Sequence, residues 1–584
     1  MDKSKGSREL RKTENVRKSR TKKRKQYFNP KTVETDESSF STFAKKIKIQ
    51  EDIIVPQDNS IEYRILNFIT VFAAISNFVK CKVCNGDIKF QAANMRGLGF
   101  NIIVICETCA PQSIPSCPYI GRSYEINRRF IFTMRVLGLG LKSCQKFCGL
   151  MDMPHFIFQT SYDITINNIL NCVKEVSDKL FKNAVNEEKK EACKERNIEE
   201  TNELTVSGDG TWKKRGFTSL YGVSSIIGYY SGKILDILVK SSYCKACEYW
   251  NNKQDTDEYA EWFETHSNNC LANHEGSSGK MEVDAIVEMF KRSQNKYGVK
   301  YINYIGDGDS KTYNGIIKSS PYGDDTSIIK KECIGHVQKR MGHRLRECKK
   351  KNKNLGGKNK LTGKMIDKLT VYYGLAIRRN CDSTNKMRDA IWATYYHYSS
   401  TDEHPQHSKC PTGVDSWCAW QCASAKGELA SFKHDYNALP KDVLDAIEPI
   451  YKDLSKQELL ERCVGGFNQN NNESYNQLIW KISPKIIPSG LKPIELAAYT
   501  SACIFNEGSK TLLQMFEAMG VHSGPNAHQY VITEDANRMR IADDRALQST
   551  REARMLRRQQ QLDILEASTS GENLLYGPGI DDFV

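Results

Sequence analysis

The stretch KYINYIGDGDS (Lys300–Ser310) runs from β-branched and aromatic residues straight into Gly-Asp-Gly-Asp. Tyr301, Ile302, Tyr304 and Ile305 favour a buried strand, and the glycines end it. The same device occurs earlier: ELTVSGDGTW (Glu203–Trp212) is an apolar run that reaches Asp209 between Gly208 and Gly210. Between the two lie SLYGVSSIIGYY (219–230) and KILDILVKSS (233–242), two strands joined at a Ser-Gly turn into a hairpin. MEVDAIVEMFKRSQNKYG (281–298) has helical periodicity and closes on Gly298. The order strand, hairpin, helix, strand predicts a last strand parallel to its neighbour.

Two acids at strand ends in one sheet are brought close, because adjacent strands lie about 4.8 Å apart. Like charges at that range repel unless a cation sits between them. Mg²⁺ suits the position, since it takes one or two carboxylates and accepts phosphate oxygens. Two such ions about 3.5–4 Å apart clamp the attacking and leaving oxygens of a phosphodiester. The flanking glycines are read as letting the backbone pass close to a ligand. A third carboxylate is expected at Glu473 in GGFNQNNNESYNQLIW (465–480), where an Asn-rich turn becomes a helix. Taken singly, each Gly-Asp-Gly is an ordinary turn and Glu473 an ordinary N-terminal helix charge. Their joint occurrence in matching contexts favours a metal site.

With 584 residues, the chain exceeds one core and predicts roughly three or four folding units. A hydrophobic fraction of 39% and a charged fraction of 26% mark it as globular. The net charge of +14 favours a polyanionic partner such as nucleic acid. Runs long and apolar enough to span a membrane are absent, and the N-terminus lacks the apolar centre of a secretory signal. A disulfide framework among the 20 cysteines is therefore not expected, and the several that sit in CxxC or CxxH pairs favour zinc.

Cys81-x-x-Cys84 and Cys106-x-x-Cys109 have the spacing of a closed, structural zinc ribbon or knuckle. Cys244 and Cys247 are followed by His266, Cys270 and His274, five candidates for four places. The expected set is Cys244, Cys247, Cys270 and His274, with His266 left out. A third site is expected from Cys333-x-x-His336 and His407-x-x-Cys410, with His404 and Cys418 as substitutes. It would pin a helical insertion to the catalytic core.

SGDGTWKKRGFTSLYG, YIGDGDSKTY, ECIGHVQKRMGHRL and GGFNQNNNESYNQLIW together resemble the Mutator-like transposases of eukaryotic DNA transposons, over about residues 80–510. The resemblance implies an α/β, RNase H-like catalytic core with an all-helical insertion, an N-terminal zinc-knuckle domain and a disordered basic tail. It implies a DDE triad of Asp209, Asp307 and Glu473 holding two Mg²⁺ or Mn²⁺ ions, with Asp309 in a supporting or turn role. The implied activity is cleavage at terminal inverted repeats of double-stranded DNA and strand transfer into target DNA, in the nucleus, by a homodimer or larger assembly. A catalytically silent, domesticated DNA-binding protein is the alternative. A structure-selective nuclease explains the acids but not the knuckles and the helical insertion as well.

The expected organisation is a basic arm (1–55), a zinc-knuckle domain (56–115), a helical region (116–200) and a core (201–335) with a zinc insert at 244–274. A helical insertion (336–462), the remainder of the core with Glu473 (463–515) and a charged tail (516–584) follow. Residues 61–79 are expected to be buried and 186–200 exposed. RKSRTKKRKQ (17–26) is a solvated charge run, a nuclear import signal or a DNA clamp. Lys213, Lys214, Arg215, Lys339, Arg340 and Arg344 are candidates for phosphate contact, alongside His343 and Arg346. Trp212 and Trp480 are expected in the core.

Overall fold

The computed structural model describes residues 55–214, 218–308, 310–324 and 326–548. Arg215, Asp309 and the basic run 17–26 lie outside the described residues. Contacts divide the chain into residues 49–535 and a second unit of 1–48 with 536–584. Of the second unit, residues 536–548 are described, as the end of a helix that begins at Pro525.

The N-terminal segment forms helix α1 (Phe68–Ser76) and an antiparallel sheet of β1 (Ile88–Arg96), β2 (Gly99–Cys106) and β3 (Gln112–Pro115). None of α1 is buried: Ile69 is exposed, as are the flanking Ile65 and Phe78. The helix is as the apolar run suggests, and its Phe68 and Phe72 meet Phe100 and Phe90 of the sheet, with ring centroids 5.6 and 5.1 Å apart, yet this contact leaves its residues only partly covered. A two-residue hairpin of β4 (Tyr119–Ile120) and β5 (Ser123–Tyr124) leads into helices α2 (Glu125–Val136), α3 (Leu141–Leu150) and the long α4 (Gln159–Arg196).

The central sheet contains β6 (Glu203–Trp212), β7 (Tyr221–Gly228), β8 (Ile234–Ser241), β9 (Lys300–Gly306) and β10 (Ile329–Glu332), in the order β10-β9-β6-β7-β8. β6, β7 and β8 form an antiparallel meander, whereas β9 lies parallel to β6 and β10 parallel to β9. The parallel pairing follows from the crossover helix α7 (Ser278–Tyr297), which returns the chain across the sheet. Ser277 caps its start by accepting from the Lys280 N–H, and Gly298 closes it in the left-handed region at φ 69°. β10 was not foreseen; it is a four-residue edge strand, too short to show a clear alternation.

The pleat divides β6 into two faces. Leu204, Val206, Gly208 and Gly210 face α7, whose Ile286, Met289 and Phe290 join Val206 and Leu204 in one apolar cluster. The other face meets α15 (Asn470–Ile482) and α16 (Leu491–Glu507), where Tyr475, Ile479 and Ile494 pack on Val223, Ile227 and Ile237. Arg292 of α7 makes a two-pronged pair with buried Asp236 of β8, at 2.7 Å for each bond. That geometry locks helix to sheet.

Residues 186–200 are not a uniformly exposed segment. α4 continues through them to Arg196, and Glu188 is fully buried. Its carboxylate accepts from the backbone N–H groups of Tyr230 and Ser231, at 3.0 and 2.7 Å, in the β7–β8 turn. The ammonium of buried Lys233, in the same hairpin connection, pairs with Glu187 and with Glu507 of α16. A charged sequence can be buried when each charge meets a partner.

Between β10 and α15 the described residues are helical or irregular. They include α9 (Ile334–Lys351), α10 (Gly363–Arg378), α11 (Thr384–Ser399), α12 (Ala419–Lys426), α13 (Lys441–Leu454) and α14 (Gln457–Cys463); α8 (Ser310–Ser319) precedes β10. α9, α10, α11 and α13 share a separate apolar core with Met341, Leu369, Ile391 and Ile447. α17 (Thr511–Ala518) and α18 (Pro525–Gln548) complete the chain.

A Cβ at Gly208 would fall 2.6 Å from the Tyr304 ring. Gly208→Ala is expected to destabilise the protein by about 1–3 kcal/mol, measured by chemical denaturation.

Candidate active site and metal centres

β6 and α15 are stitched by side chains at matching intervals. Ser207 donates to the Asn472 side-chain Oδ1 at 2.7 Å, Asn476 donates to Asp209 at 2.7 Å, and Trp480 donates to the Thr211 hydroxyl at 2.8 Å. Two residues of strand advance about 6.8 Å and four residues of helix about 6 Å, so the two ladders stay in step. Gln469 adds a bond to the Gly208 carbonyl at 2.9 Å. This arrangement fixes Glu473, one residue beyond Asn472, on the flank of α15 beside Asp209.

Asp307 reaches the same neighbourhood from the next strand. The last β6–β9 pair is Ser207 with Ile305, so Asp209 and Asp307 each lie two residues beyond it. Asp209 senses both of the other acids. Burial pushes the Asp209 carboxyl up to about 7; Asn476 and the Gly210 N–H oppose that, and the charges of Asp307 and Glu473 add to it. Among the described residues, the three carboxylates do not form a group with every ligand atom within 4.8 Å of the others, as the Cys/His groups do. Asp209 turns to Asn476, and Glu473 turns to Lys339 at 3.5 Å.

The glycines beside Asp209 serve a purpose different from the one expected. A Cβ at Gly210 would lie 2.7 Å from Glu282, and one at Gly208 would meet Tyr304 and Ile286. They admit α7 and the neighbouring strand's ring, on the face opposite Asp209, rather than a ligand.

Beside Asp307 opens a groove of about 440 Å³, lined by Gly308, His336, Lys339, Arg340, His343 and Arg344. Its basic residues come from one face of α9, at helical spacing. Arg340 is held by buried Glu332 of β10, Arg344 by Asp453 of α13, and Lys339 by Glu473. Burial lowers the His336 imidazole, with the Lys339 charge adding to that effect. Arg346, in contrast, pairs with Asp367.

Lys213 does not join this surface. It is 6% exposed, and its ammonium donates to the Pro484 carbonyl at 2.7 Å and to Ser489 at 3.3 Å. Burial draws it down to about 8. Its stem follows the strand's inward face, which a sequence of three successive cations does not disclose. Lys214 is exposed. Trp212 and Trp480 are structural, Trp212 donating to the Ser278 carbonyl at the start of α7.

Three Cys/His groups place four ligand atoms within 4.8 Å of one another, and each could hold zinc. The first is Cys81, Cys84, Cys106 and Cys109, as the spacing suggests. The second is Cys244, Cys247, His266 and Cys270. Cys244 and Cys247 lie at the start of α5 (Lys245–Trp250), and His266 takes the place expected of His274, because α6 (Asp257–His266) carries it back to those two cysteines, at 3.4 and 3.3 Å. His274 instead faces Asp284 of α7 at 3.3 Å.

The third group is His397, His407, Cys410 and Cys418, all buried. Cys333 and His336 are not part of it. Cys333 precedes α9, its N–H directed at the Gly306 carbonyl at 3.4 Å, and His336 lines the groove by Asp307. The insertion is therefore not pinned to the core by a shared metal; its ligands come from the last turn of α11 and the loop that follows. His397, a helix residue with no nearby Cys in sequence, carries no spacing signal. Asn472 and Asn476 were also missed, although their four-residue interval with Trp480 is visible in the sequence.

A model of the Mutator-like transposase family matches residues 62–418, more than half of the chain. The chain belongs to the Mutator-like transposase family. The match includes Asp209 and Asp307 and ends before Glu473. A search of curated proteins finds no match.

Two outcomes follow. The folded Asp209 carboxyl holds its proton to about pH 7, whereas the unfolded one loses it near the ordinary value of 3.8. The unfolded state binds fewer protons in that window, so stability of the metal-free protein falls as pH rises from about 4 to 7. Asp209→Asn is expected to flatten that decline, read from melting temperature against pH. In zinc analysis, His266→Ala is expected to lose about one equivalent and His274→Ala none.

Proposed function

We propose that this family member is an active cut-and-paste DNA transposase with an RNase H-like core. The carrying observation is that Asp209, within β6, and Asp307, just past the end of β9, lie at matching positions on adjacent parallel strands while α15 brings Glu473 beside Asp209. The sheet order, a three-strand meander with two parallel strands added beside its first strand, supports the same core. The acids fit hard divalent cations such as Mg²⁺ or Mn²⁺, because their donors are carboxylate oxygens and burial holds the Asp209 carboxyl toward neutrality without a counter-charge.

Asp209, Asp307 and Glu473 would hold two such ions, with Asn476 orienting Asp209. Bound there, the ions would activate the attacking hydroxyl and neutralise charge on the leaving oxygen. Water first adds across a phosphodiester at a transposon end, leaving a 3′-hydroxyl and a 5′-phosphate. The 3′-hydroxyl then attacks a target phosphodiester, forming one new bond and releasing one target 3′-hydroxyl. Lys339, Arg340, His343 and Arg344 line the path of the DNA backbone, where they supply affinity and position rather than sequence choice. The chain would act in the nucleus, as a dimer or larger assembly that brings two terminal repeats together.

The test incubates the protein with DNA carrying its element's terminal repeats and Mg²⁺ or Mn²⁺. Breaks at the repeat boundary and strand-transfer products are expected. Asp307→Asn and Glu473→Gln are expected to lower cleavage by about a hundredfold or more while DNA binding persists. Tight binding without cleavage under either metal would replace the proposal with a silent DNA-binding derivative.

A further inference from the structure

Residues 400–440 join α11 to α13 with little regular structure: α12 and one turn of 3₁₀ helix at Leu429–Ser431. A connection of that length is uncommon without something to organise it. Its buried apolar side chains are Cys410, Cys418, Ala423 and Leu439. Two of these four are members of the third Cys/His group, so apolar burial alone supplies little cohesion.

The ligand atoms have the spacing of a tetrahedral zinc site. His407 Nδ1 lies 3.4 Å from Cys418 Sγ and 3.8 Å from Cys410 Sγ, and His397 Nδ1 lies 3.8 Å from Cys410 Sγ. With Zn–S of about 2.3 Å and Zn–N of about 2.0 Å, the edges of such a tetrahedron are about 3.3–3.8 Å, the N–S edges about 3.5 Å.

Behind His407 stands a chain of groups that fixes its orientation. His407 Nε2 lies 2.9 Å from the Ser400 hydroxyl and 2.9 Å from His434 Nε2, and Ser400 lies 3.2 Å from His434 Nε2. His434 Nδ1 pairs with the carboxylate of Asp402, which also accepts from the His434 backbone N–H at 2.9 Å. One proton arrangement satisfies every member. Asp402 accepts from His434 Nδ1–H, leaving His434 Nε2 to accept; His407 Nε2–H then donates, which leaves Nδ1 bare for a metal.

We propose that His397, His407, Cys410 and Cys418 form a closed structural zinc centre that serves as the core of the 400–440 segment, and that Asp402 and His434 are its positioning residues. Outer carboxylate and imidazole partners of this kind hold a ligating histidine in one tautomer and raise its basicity. A segment with so few apolar contacts draws its folding free energy from the metal. The proposal is independent of whether the chain cuts DNA.

The test uses the full chain and measures zinc content, chelator-driven zinc release and limited proteolysis. The wild-type protein is expected to hold three equivalents, and Cys410→Ser two. Chelation is expected to open cleavage sites within 400–440. Asp402→Asn and His434→Gln are expected to hold the third zinc about 10–100-fold more weakly, with the other two sites unchanged and Asp402→Glu restoring retention. Because Asp402 is exposed, its substitution leaves the packing intact. Three equivalents in Cys410→Ser would overturn the centre. Wild-type release in both Asp402→Asn and His434→Gln would overturn the relay.

Discussion

The register between β6 and α15 is the constraint on which the candidate active site depends. Ser207, Asp209 and Thr211 meet Asn472, Asn476 and Trp480, residues more than 260 positions later in the chain. The match works because a strand repeats its face every two residues and a helix nearly every four, over almost equal rises. A one-residue slip of β6 would turn Asp209 to the α7 face, where Gly208 and Gly210 leave no room for a side chain, and a slip of α15 would carry Asn472 and Asn476 away from Ser207 and Asp209. The same glycines that admit α7 therefore enforce which face the carboxylate occupies.

Around that register the protein arranges its charges by partner rather than by exposure. Buried cations and anions are answered in pairs: Arg292 with Asp236, Lys233 with Glu187 and Glu507, Glu188 with a hairpin turn. Such pairs fix geometry more than they add stability. The groove residues are held differently. Lys339 and Arg344 lean on half-exposed acids, contacts of small energy, while Arg340 is anchored at its base by buried Glu332. Electrostatics thus separate the rigid frame from loosely held cations at the surface.

The Cys/His groups occur where apolar burial is thin. The first lies in a small sheet beside an unburied helix, the second in the short helices between β8 and α7, and the third in the loop-rich 400–440 segment. In each, four ligand atoms gather in place of a larger hydrophobic core.

The amino-acid sequence by itself determined the strand–hairpin–helix–strand order, the parallel pairing of β9 with β6, the helical character after residue 334 and the first Cys₄ group. Those features rest on local periodicity and short spacings, which the chain states directly. The family resemblance carried by the acidic motifs was legible too, and the matched region bears it out. Other features were decided only by the fold: His266 rather than His274, His397 and Cys418 rather than Cys333 and His336, the inward turn of Lys213, and the burial of Glu188. Each depends on where a helix ends or which way a strand faces in three dimensions. Ligands and ion partners are chosen by distances of a few ångströms between elements far apart in the chain, and no local pattern encodes those distances.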